Sequence, residues 1–142
     1  MRLTGKIGLT AFLAAVFMAG AAQAGNSDYR CTIGRVSLPQ GDSGHIYDLY
    51  KQKFVGKEFS VERASGLMAG VLKNSYGTKP QVIDAGSYSN SYKVITTMRT
   101  GDGAGTGSNV YALTILEYQK SSRKPFIYLY TDLVFFGECE HF

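Results

Sequence analysis

Two cysteines constrain what this chain of 142 residues can fold into more than any other feature of its sequence. Cys31 and Cys139 are its only cysteines, one near each end of the region that follows residue 24. A bond between them would close a loop of about 100 residues, for which the chain-entropy model gives about 4.7 kcal/mol of stabilisation. A metal site or a reactive thiol is the alternative, although no histidine adjoins Cys31. We predict a disulfide that places the two terminal segments side by side.

The first 24 residues have the layout of a cleaved secretory signal. Two basic residues precede an apolar run over residues 7–22, and the run ends in Ala22-Gln23-Ala24, a typical cleavage site. We predict cleavage after Ala24 and a single β domain over residues 25–142. Such a signal directs the protein to the periplasm or out of the cell, and disulfides persist in these oxidising compartments. A retained anchor is the weaker interpretation since the apolar run is short, so we expect no membrane insertion after cleavage.

The charge of the remaining chain argues against one class of partner. Removing the signal removes two of the fifteen Lys and Arg residues, which leaves thirteen against eleven Asp and Glu. A net charge of about +2 is too small to indicate nucleic-acid binding, and no block of like charges remains. We expect no nucleic-acid partner.

Glycines punctuate residues 25–142 at intervals of about ten residues, which is typical of short strands in an all-β sandwich or barrel. We predict a mainly β, single-domain antiparallel barrel or compact sandwich of about seven strands with one short helix, its N- and C-terminal strands joined by the disulfide. The predicted strands are residues 29–38, 57–63, 67–73, 81–87, 91–99, 109–119 and 126–137. Within residues 91–99, alternation predicts that Tyr92, Val94, Thr96 and Met98 share one face of the strand.

Two local features refine this prediction. Residues 109–119 and 126–137 are apolar on both faces, so we expect them at the sheet centre, with a helix, a loop or a second sheet over the outer side. Ser65 and Gly66 lie in a tight reversal between two strands, and Gly66 supplies the positive φ that such a hairpin turn requires.

The helix is predicted over residues 45–54, where apolar residues recur at intervals of three and four. Asp42 or Ser43 stands at the N-cap position, where a side-chain oxygen accepts hydrogen bonds from the first turn. The residues of the apolar face are Ile46, Leu49, Tyr50 and Phe54.

The same segment carries a motif of catalysis, GDSG at residues 41–44, which resembles the surroundings of the nucleophilic serine in chymotrypsin-like proteases. In those enzymes the histidine precedes the serine, whereas the only histidines here, His45 and His141, both follow Ser43. A helix cap explains these residues without a function. We therefore expect no enzyme, with a hydrolase that uses Ser43 and His45 as the less favoured alternative.

Two further motifs invite a ligand without completing a site. The loop GDGAGTGS, residues 101–108, lacks the Lys-Ser or Lys-Thr of a phosphate-binding loop, and Asp102 is its only carboxylate, too few for calcium. The C-terminal GECEHF offers one imidazole and two carboxylates, and we expect a solvated tail there. We predict no cofactor and no metal.

Tyrosine is abundant, with ten residues and no tryptophan. Tyr76, Tyr88 and Tyr92 border segments rich in Asn, Ser and Gly, a composition typical of adaptable binding surfaces, although strand propensity explains the same tyrosines without a function. We identify Ser65, Gly66, Tyr76, Tyr88 and Tyr92 as candidate binding loops of a non-catalytic module. Its ligand is a protein partner or a small apolar molecule.

Four segments, KEFSVERASGLMAGVLKN, PQVIDAGSYSNSYKVI, GSNVYALTILEY and KPFIYLYTDLVFFGECEHF, resemble a group of small uncharacterised exported proteobacterial β proteins over about residues 54–142. That resemblance implies a shared fold and no activity. The YRC near the start and the Ser-Gly at 65 and 66 are weakly similar to periplasmic lysozyme inhibitors, small β-barrels with a disulfide, although Leu67 and Met68 replace polar residues. This second similarity implies an alternative function, inhibition of a cell-wall hydrolase through the turn at Ser65 and Gly66.

Overall fold

A computed structural model of the protein describes residues 27–75, 78–102 and 105–142. The predicted signal segment, residues 1–24, lies outside these ranges. Within them, no helix has the length and apolarity that crossing a membrane needs. In chain order the elements are β1 (Tyr29–Ser37), α1 (His45–Phe54), β2 (Glu58–Val61), β3 (Met68–Gly70), β4 (Gln81–Ala85), β5 (Tyr92–Met98), β6 (Asn109–Ile115), β7 (Lys124–Tyr130) and β8 (Leu133–His141).

All strands of the described residues belong to one sheet that curls into a half-barrel, in the order β3-β2-β1-β8-β7-β6-β5-β4. Every neighbouring pair is antiparallel. The predicted mainly β antiparallel fold with one helix is therefore confirmed, and it has the barrel-like form. The prediction of about seven strands is one short of the eight in the sheet.

The additional strand arises within residues 126–137, which we predicted as a single strand. The chain reverses there, since Tyr130 pairs with Leu133 across the two-residue turn Thr131-Asp132. Thr131 has a φ of 53°, a left-handed conformation that β-branched residues rarely adopt. Because turns of this length usually contain Gly or Asn, nothing in the local sequence marks the reversal.

The two terminal strands, β1 and β8, are neighbours in the sheet. Cys31 and Cys139 lie directly opposite each other in their ladder, with α-carbons 3.9 Å apart, and form the disulfide. The predicted pairing is confirmed, and the described residues contain no free cysteine. The covalent bond thus joins strands that are also paired by backbone hydrogen bonds.

Alternate side chains of a strand point to opposite faces of the sheet, and those on the concave face form the core. The four residues of β5 that we predicted to share one face, Tyr92, Val94, Thr96 and Met98, are all buried. Each large apolar side chain removed from water contributes about 1.5 to 3 kcal/mol. The largest fully buried side chains include Tyr29, Tyr92, Tyr128, Phe126, Phe135, Ile33, Leu72 and Leu113.

Helix α1 covers the predicted residues, but its cap differs from the prediction. Gly44 is the N-cap, and no side chain caps the first turn. Asp42 instead accepts a hydrogen bond from the backbone N–H of Leu38 at 3.0 Å and lies 3.7 Å from the Arg35 guanidinium. The prediction that Asp42 or Ser43 caps the helix is wrong because the Asp42 carboxylate closes the preceding turn.

The apolar face of α1 is buried at one residue. Phe54 packs against Phe135, with ring centres 4.9 Å apart, whereas Ile46 and Leu49 are 58% and 48% exposed. β2 pairs with β1 only as far as Thr32, and α1 lies beside the rest of that strand. The helix therefore anchors on the half-barrel through Phe54, and two half-buried tyrosines of the helix pack against the same core.

The outer face of β6, β7 and β8 is apolar and lacks the cover that we predicted. The one helix of the described residues packs on β1, and the sheet has no second layer. Ile127 and Val110 are 44% and 45% exposed. On Phe136 the Arg35 guanidinium lies 3.9 Å from the ring centre, so a charged side chain covers that ring in place of a second layer.

Candidate functional site

Three connecting segments lie at one end of the half-barrel, where β1, β5 and β7 begin and their neighbours end. They are the turn 62–67, the loop 86–91 and the turn 116–123, and we call them the loop rim. The structure brings together four of the five predicted binding residues in or beside the loop rim. These are Ser65, Gly66, Tyr88 and Tyr92, while Tyr76 lies outside the described residues.

Arg63 connects the first two segments of the loop rim. Its guanidinium donates to the carbonyl of Ala85 at 2.9 and 3.1 Å and to that of Gly86 at 3.3 Å. Its backbone N–H donates to the Asp28 carboxylate, and its carbonyl accepts from the Tyr92 hydroxyl, both at 2.9 Å. Because a planar guanidinium bonds its acceptors in fixed directions, Arg63 holds the turn against the loop.

The loop 86–91 presents a single aromatic side chain to solvent. The Ser87 hydroxyl accepts hydrogen bonds from the N–H groups of Ser89 at 3.1 Å and Asn90 at 3.2 Å. The Ser87 N–H in turn donates to the Asn90 carbonyl at 3.0 Å. Tyr88 lies between these partners and is 92% exposed. Its ring is thus carried by a turn whose backbone is fixed at both ends.

The turn at Ser65 and Gly66 packs onto the sheet. Gly66 has a φ of 75°, as predicted for the hairpin, and its N–H donates to the Glu62 carbonyl at 2.8 Å. It is buried, and a Cβ at this position would lie 2.7 Å from the Val94 side chain. The Ser65 hydroxyl donates to the Glu62 carboxylate and accepts from the N–H of Leu67 at 3.1 Å. Both residues are therefore engaged within the protein.

Tyr92 lies in the core, which corrects its prediction as a binding residue. Its side chain is fully buried at the start of β5, with its ring 5.1 Å from that of Tyr29. Burial raises the pKa of Tyr92 to about 12, against the opposing effect of the Arg63 guanidinium. Tyr92 supports the loop rim from below and offers no contact surface.

A carboxylate connects the third segment of the loop rim to both chain ends. Glu117 accepts from the Tyr29 hydroxyl at 3.0 Å and lies 2.8 Å from Nε2 of His141. Nδ1 of His141 lies 3.3 Å from the carbonyl oxygen of Ser27. Burial raises the pKa of the Tyr29 hydroxyl, and the Glu117 carboxylate raises it further. The prediction of a solvated C-terminal tail is therefore wrong for His141, which lies in β8, pairs with Tyr29 of β1 and bonds to Glu117.

The histidine of this network has no nitrogen left for a reacting group. Nε2 faces the carboxylate of Glu117 and Nδ1 faces the carbonyl of Ser27, so each ring nitrogen lies against a group of the protein itself. A general base needs one nitrogen within hydrogen-bond reach of a substrate proton. In this geometry His141 is a connector between chain segments.

The remaining motifs of the sequence lie away from the loop rim. Ser43 and His45 are exposed at the start of α1, and neither side chain forms a hydrogen bond or ion pair with another described residue. A nucleophilic serine needs a base held against it. Asp102 closes its own loop by accepting from the N–H of Arg99 at 2.8 Å. No group of three or more His, Cys, Asp or Glu that could hold a metal occurs in the described ranges.

A second surface feature lies on the outer face of β2, β1 and β8, a depression of about 580 Å³. Its floor includes the backbone of Gly34 and Gly137. A Cβ on Gly137 would lie 2.0 Å from the carbonyl oxygen of Thr32, so only glycine fits. The polar side chains around it are Arg30, Thr32, Glu58, Arg123, Glu138 and Glu140.

Comparison of the chain with protein-family models, curated proteins and solved structures finds no match. The resemblance to exported proteobacterial proteins and to lysozyme inhibitors stays a prediction. Site assignment therefore depends on the geometry of the described residues. Sequence reasoning missed Arg63 and Glu117, whose partners lie more than twenty residues away along the chain. No local motif marks either side chain.

Proposed function

We propose that this protein is a non-catalytic, exported binding module that recognises a protein partner through the loop rim. The observation that carries the proposal is the exposed ring of Tyr88 on a turn fixed by Ser87 and tied to the sheet by Arg63. Tyrosine provides a large, rigid contact surface with a polar end, which is why it is frequent among the residues that dominate protein interfaces.

Fixed loops favour binding for a thermodynamic reason. Ordering a side chain or loop on association costs about 0.5 to 1.5 kcal/mol for each immobilised side chain. In the loop rim the hydrogen bonds of Arg63 and Ser87 order the backbone before a partner arrives. Less conformational entropy is therefore lost when Tyr88 contacts a partner.

A protein partner is favoured over a small apolar ligand because aromatic side chains fill the interior. Tyr29, Tyr92, Tyr128, Phe126 and Phe135 each expose less than 2% of their surface. A ligand on the concave face would have to displace packed rings, at a cost of several kcal/mol for each cavity opened.

Inhibition of a cell-wall hydrolase through Ser65 and Gly66 is less favoured. Such an inhibitor inserts a projecting turn into its target, but Gly66 is buried and the Ser65 hydroxyl is bonded to Glu62. A periplasmic or secreted location is part of the proposal, supported by the disulfide and by the predicted signal over residues 1–24.

Site-specific photo-crosslinking in the producing cells tests this function. A photoreactive phenylalanine analogue replaces Tyr88 in one variant and Leu49, an exposed residue of α1, in the matched control. We expect a discrete crosslinked product of one partner at position 88 and its loss when Arg63→Ala is added. Identical products at both positions, or no product at position 88, would contradict recognition through the loop rim.

A further inference from the structure

The depression on the outer face has a defined arrangement of charges across three strands. Thr32 of β1 pairs with Glu58 of β2 on one side and with Glu138 of β8 on the other. Strands in a sheet lie about 4.8 Å apart, so the two glutamates flank Thr32 at a backbone separation of about 10 Å. The next outward-facing pair of the same ladder is Arg30 with Glu140.

Two of the three glutamates around the depression already have a cationic partner. The Arg123 guanidinium lies 3.4 Å from the Glu138 carboxylate, and the Arg30 guanidinium lies 3.9 Å from that of Glu140. Glu58 has neither an ion pair nor a side-chain hydrogen bond to another described residue, and it is exposed. The depression therefore carries one negative charge more than its arginines neutralise.

An apolar surface continues from this depression along β7. Pro125 pairs with Glu138, and two residues further along the strand Ile127 pairs with Phe136 on the same outer face. Ile127 is 44% exposed. A ligand that reaches from Glu58 across Glu138 thus passes from an unneutralised carboxylate to aliphatic surface within a few residues.

We propose that this depression binds a lysine side chain of a protein partner, with an aliphatic residue next to that lysine packing on Pro125 and Ile127. The ammonium group lies above Thr32, between Glu58 and Glu138, beside the exposed Gly34. An exposed ion pair alone raises affinity by no more than about fivefold, so a small free amine gains too little there. The neighbouring apolar surface supplies the remaining contact and selects a peptide segment.

This second surface is independent of the loop rim. Its side chains lie on the outer face of β1, β2 and β8, and the proposal uses none of the residues that hold Tyr88. Loss of recognition in a Tyr88→Ala variant would leave the depression unchanged.

Nuclear magnetic resonance titration with short peptides tests the inference on the intact protein with its disulfide. The probes are acetyl-Leu-Lys-Leu-amide, the same peptide with an Nε-acetylated lysine, and butylamine as the free amine. We expect the first peptide to shift the backbone amides of Thr32, Glu58 and Glu138. Acetylation of the lysine, or the substitution Glu58→Gln, should weaken binding roughly two- to fivefold, the range of one exposed ion pair.

The matched control is Asp48→Asn, which removes one exposed negative charge from α1 and should leave peptide binding unchanged. Equal weakening by Asp48→Asn and Glu58→Gln would show that net charge alone attracts the peptide and would overturn the site. Equal binding of the lysine and acetyl-lysine peptides would overturn it as well. Binding of butylamine as tight as that of the peptide would overturn the peptide segment as the ligand, and so would an absence of amide shifts with millimolar peptide.

Discussion

The two ends of the half-barrel are stabilised by different kinds of contact. At the α1 end an aromatic pair, Phe54 on Phe135, joins the helix to the sheet. At the loop rim, hydrogen bonds from Arg63 and the contacts of Glu117 with Tyr29 and His141 join the segments. Apolar contact is non-directional, whereas hydrogen bonds fix distance and angle. The α1 end therefore contributes stability, and the loop rim contributes position, which recognition requires.

The largest expected effect is at the α1 end. Phe54→Ala removes the anchoring ring of the helix and should lower the free energy of unfolding by about 3 to 5 kcal/mol. Leu49→Ala on the same helix is the control, since its side chain is 48% exposed and its loss should change stability by about 0.5 kcal/mol or less. Urea unfolding of both variants measures the difference. Equal losses would mean that α1 does not anchor through Phe54.

Removal of the disulfide tests how strongly the loop-rim end of β1 and β8 is restrained. Cys31 and Cys139 lie two residues from the pair formed by Tyr29 and His141, so their bond restrains that end of β1 and β8. Replacing both cysteines with serine should lower the free energy of unfolding by about 2 to 5 kcal/mol. Hydrogen exchange should rise more at Arg30 than at Val36 of the same strand. A uniform rise along β1 would contradict a local role.

Alkaline pH should destabilise the protein through its buried tyrosines. Burial raises the pKa of Tyr29, Tyr92 and Tyr128 in the folded state above the unfolded value of about 10. Their stabilising contribution is complete below that pH and is lost as pH rises toward the folded values, because the unfolded chain releases its protons first. We expect a decline of up to about 1.4 kcal/mol per pH unit for each tyrosine above pH 10. Urea midpoints that stay constant between about pH 9 and 11 would contradict this.

The smallest expected effect distinguishes a bonded hydroxyl from an unbonded one. Tyr29 donates to Glu117, whereas the buried Tyr128 hydroxyl has no hydrogen-bond partner among the described residues. Tyr128→Phe should therefore leave stability unchanged or raise it by up to about 1 kcal/mol, while Tyr29→Phe lowers it by about 1 to 3 kcal/mol. Thermal unfolding of the two variants decides between them. Equal losses would mean that Tyr128 has a partner in solution.

Local sequence patterns predicted much of the fold because the signals are short-range. Alternation placed the buried face of β5, apolar spacing placed α1, and Gly66 marked its hairpin. The turn at Thr131 was missed since it has no glycine, and a strained threonine replaces the usual signal. Because no typical turn residue separates β7 from β8, the two strands were predicted as one.

The candidate site was less predictable because its contacts join distant parts of the chain. Arg63 reaches Ala85 and Gly86, and Glu117 meets Tyr29 and His141, through a curl of the sheet that no local pattern encodes. The exposed Tyr88 was predicted from its polar neighbours. Strand alternation placed Tyr92 on one face with Val94 and Met98, and that face is buried, so its assignment to a binding loop was wrong.

Amide hydrogen exchange at the loop rim tests most directly whether hydrogen bonds fix this end of the molecule. In the wild-type protein the amides of Gly66 and Asn90 should be protected, since each donates to a described acceptor. Arg63→Ala should raise their exchange rates roughly tenfold or more, the loss expected for a hydrogen bond from a charged group. The amide of Val55, bonded to Lys51 in α1, should stay unchanged. Wild-type Gly66 and Asn90 amides that exchange as fast as an unfolded chain would contradict a fixed loop rim.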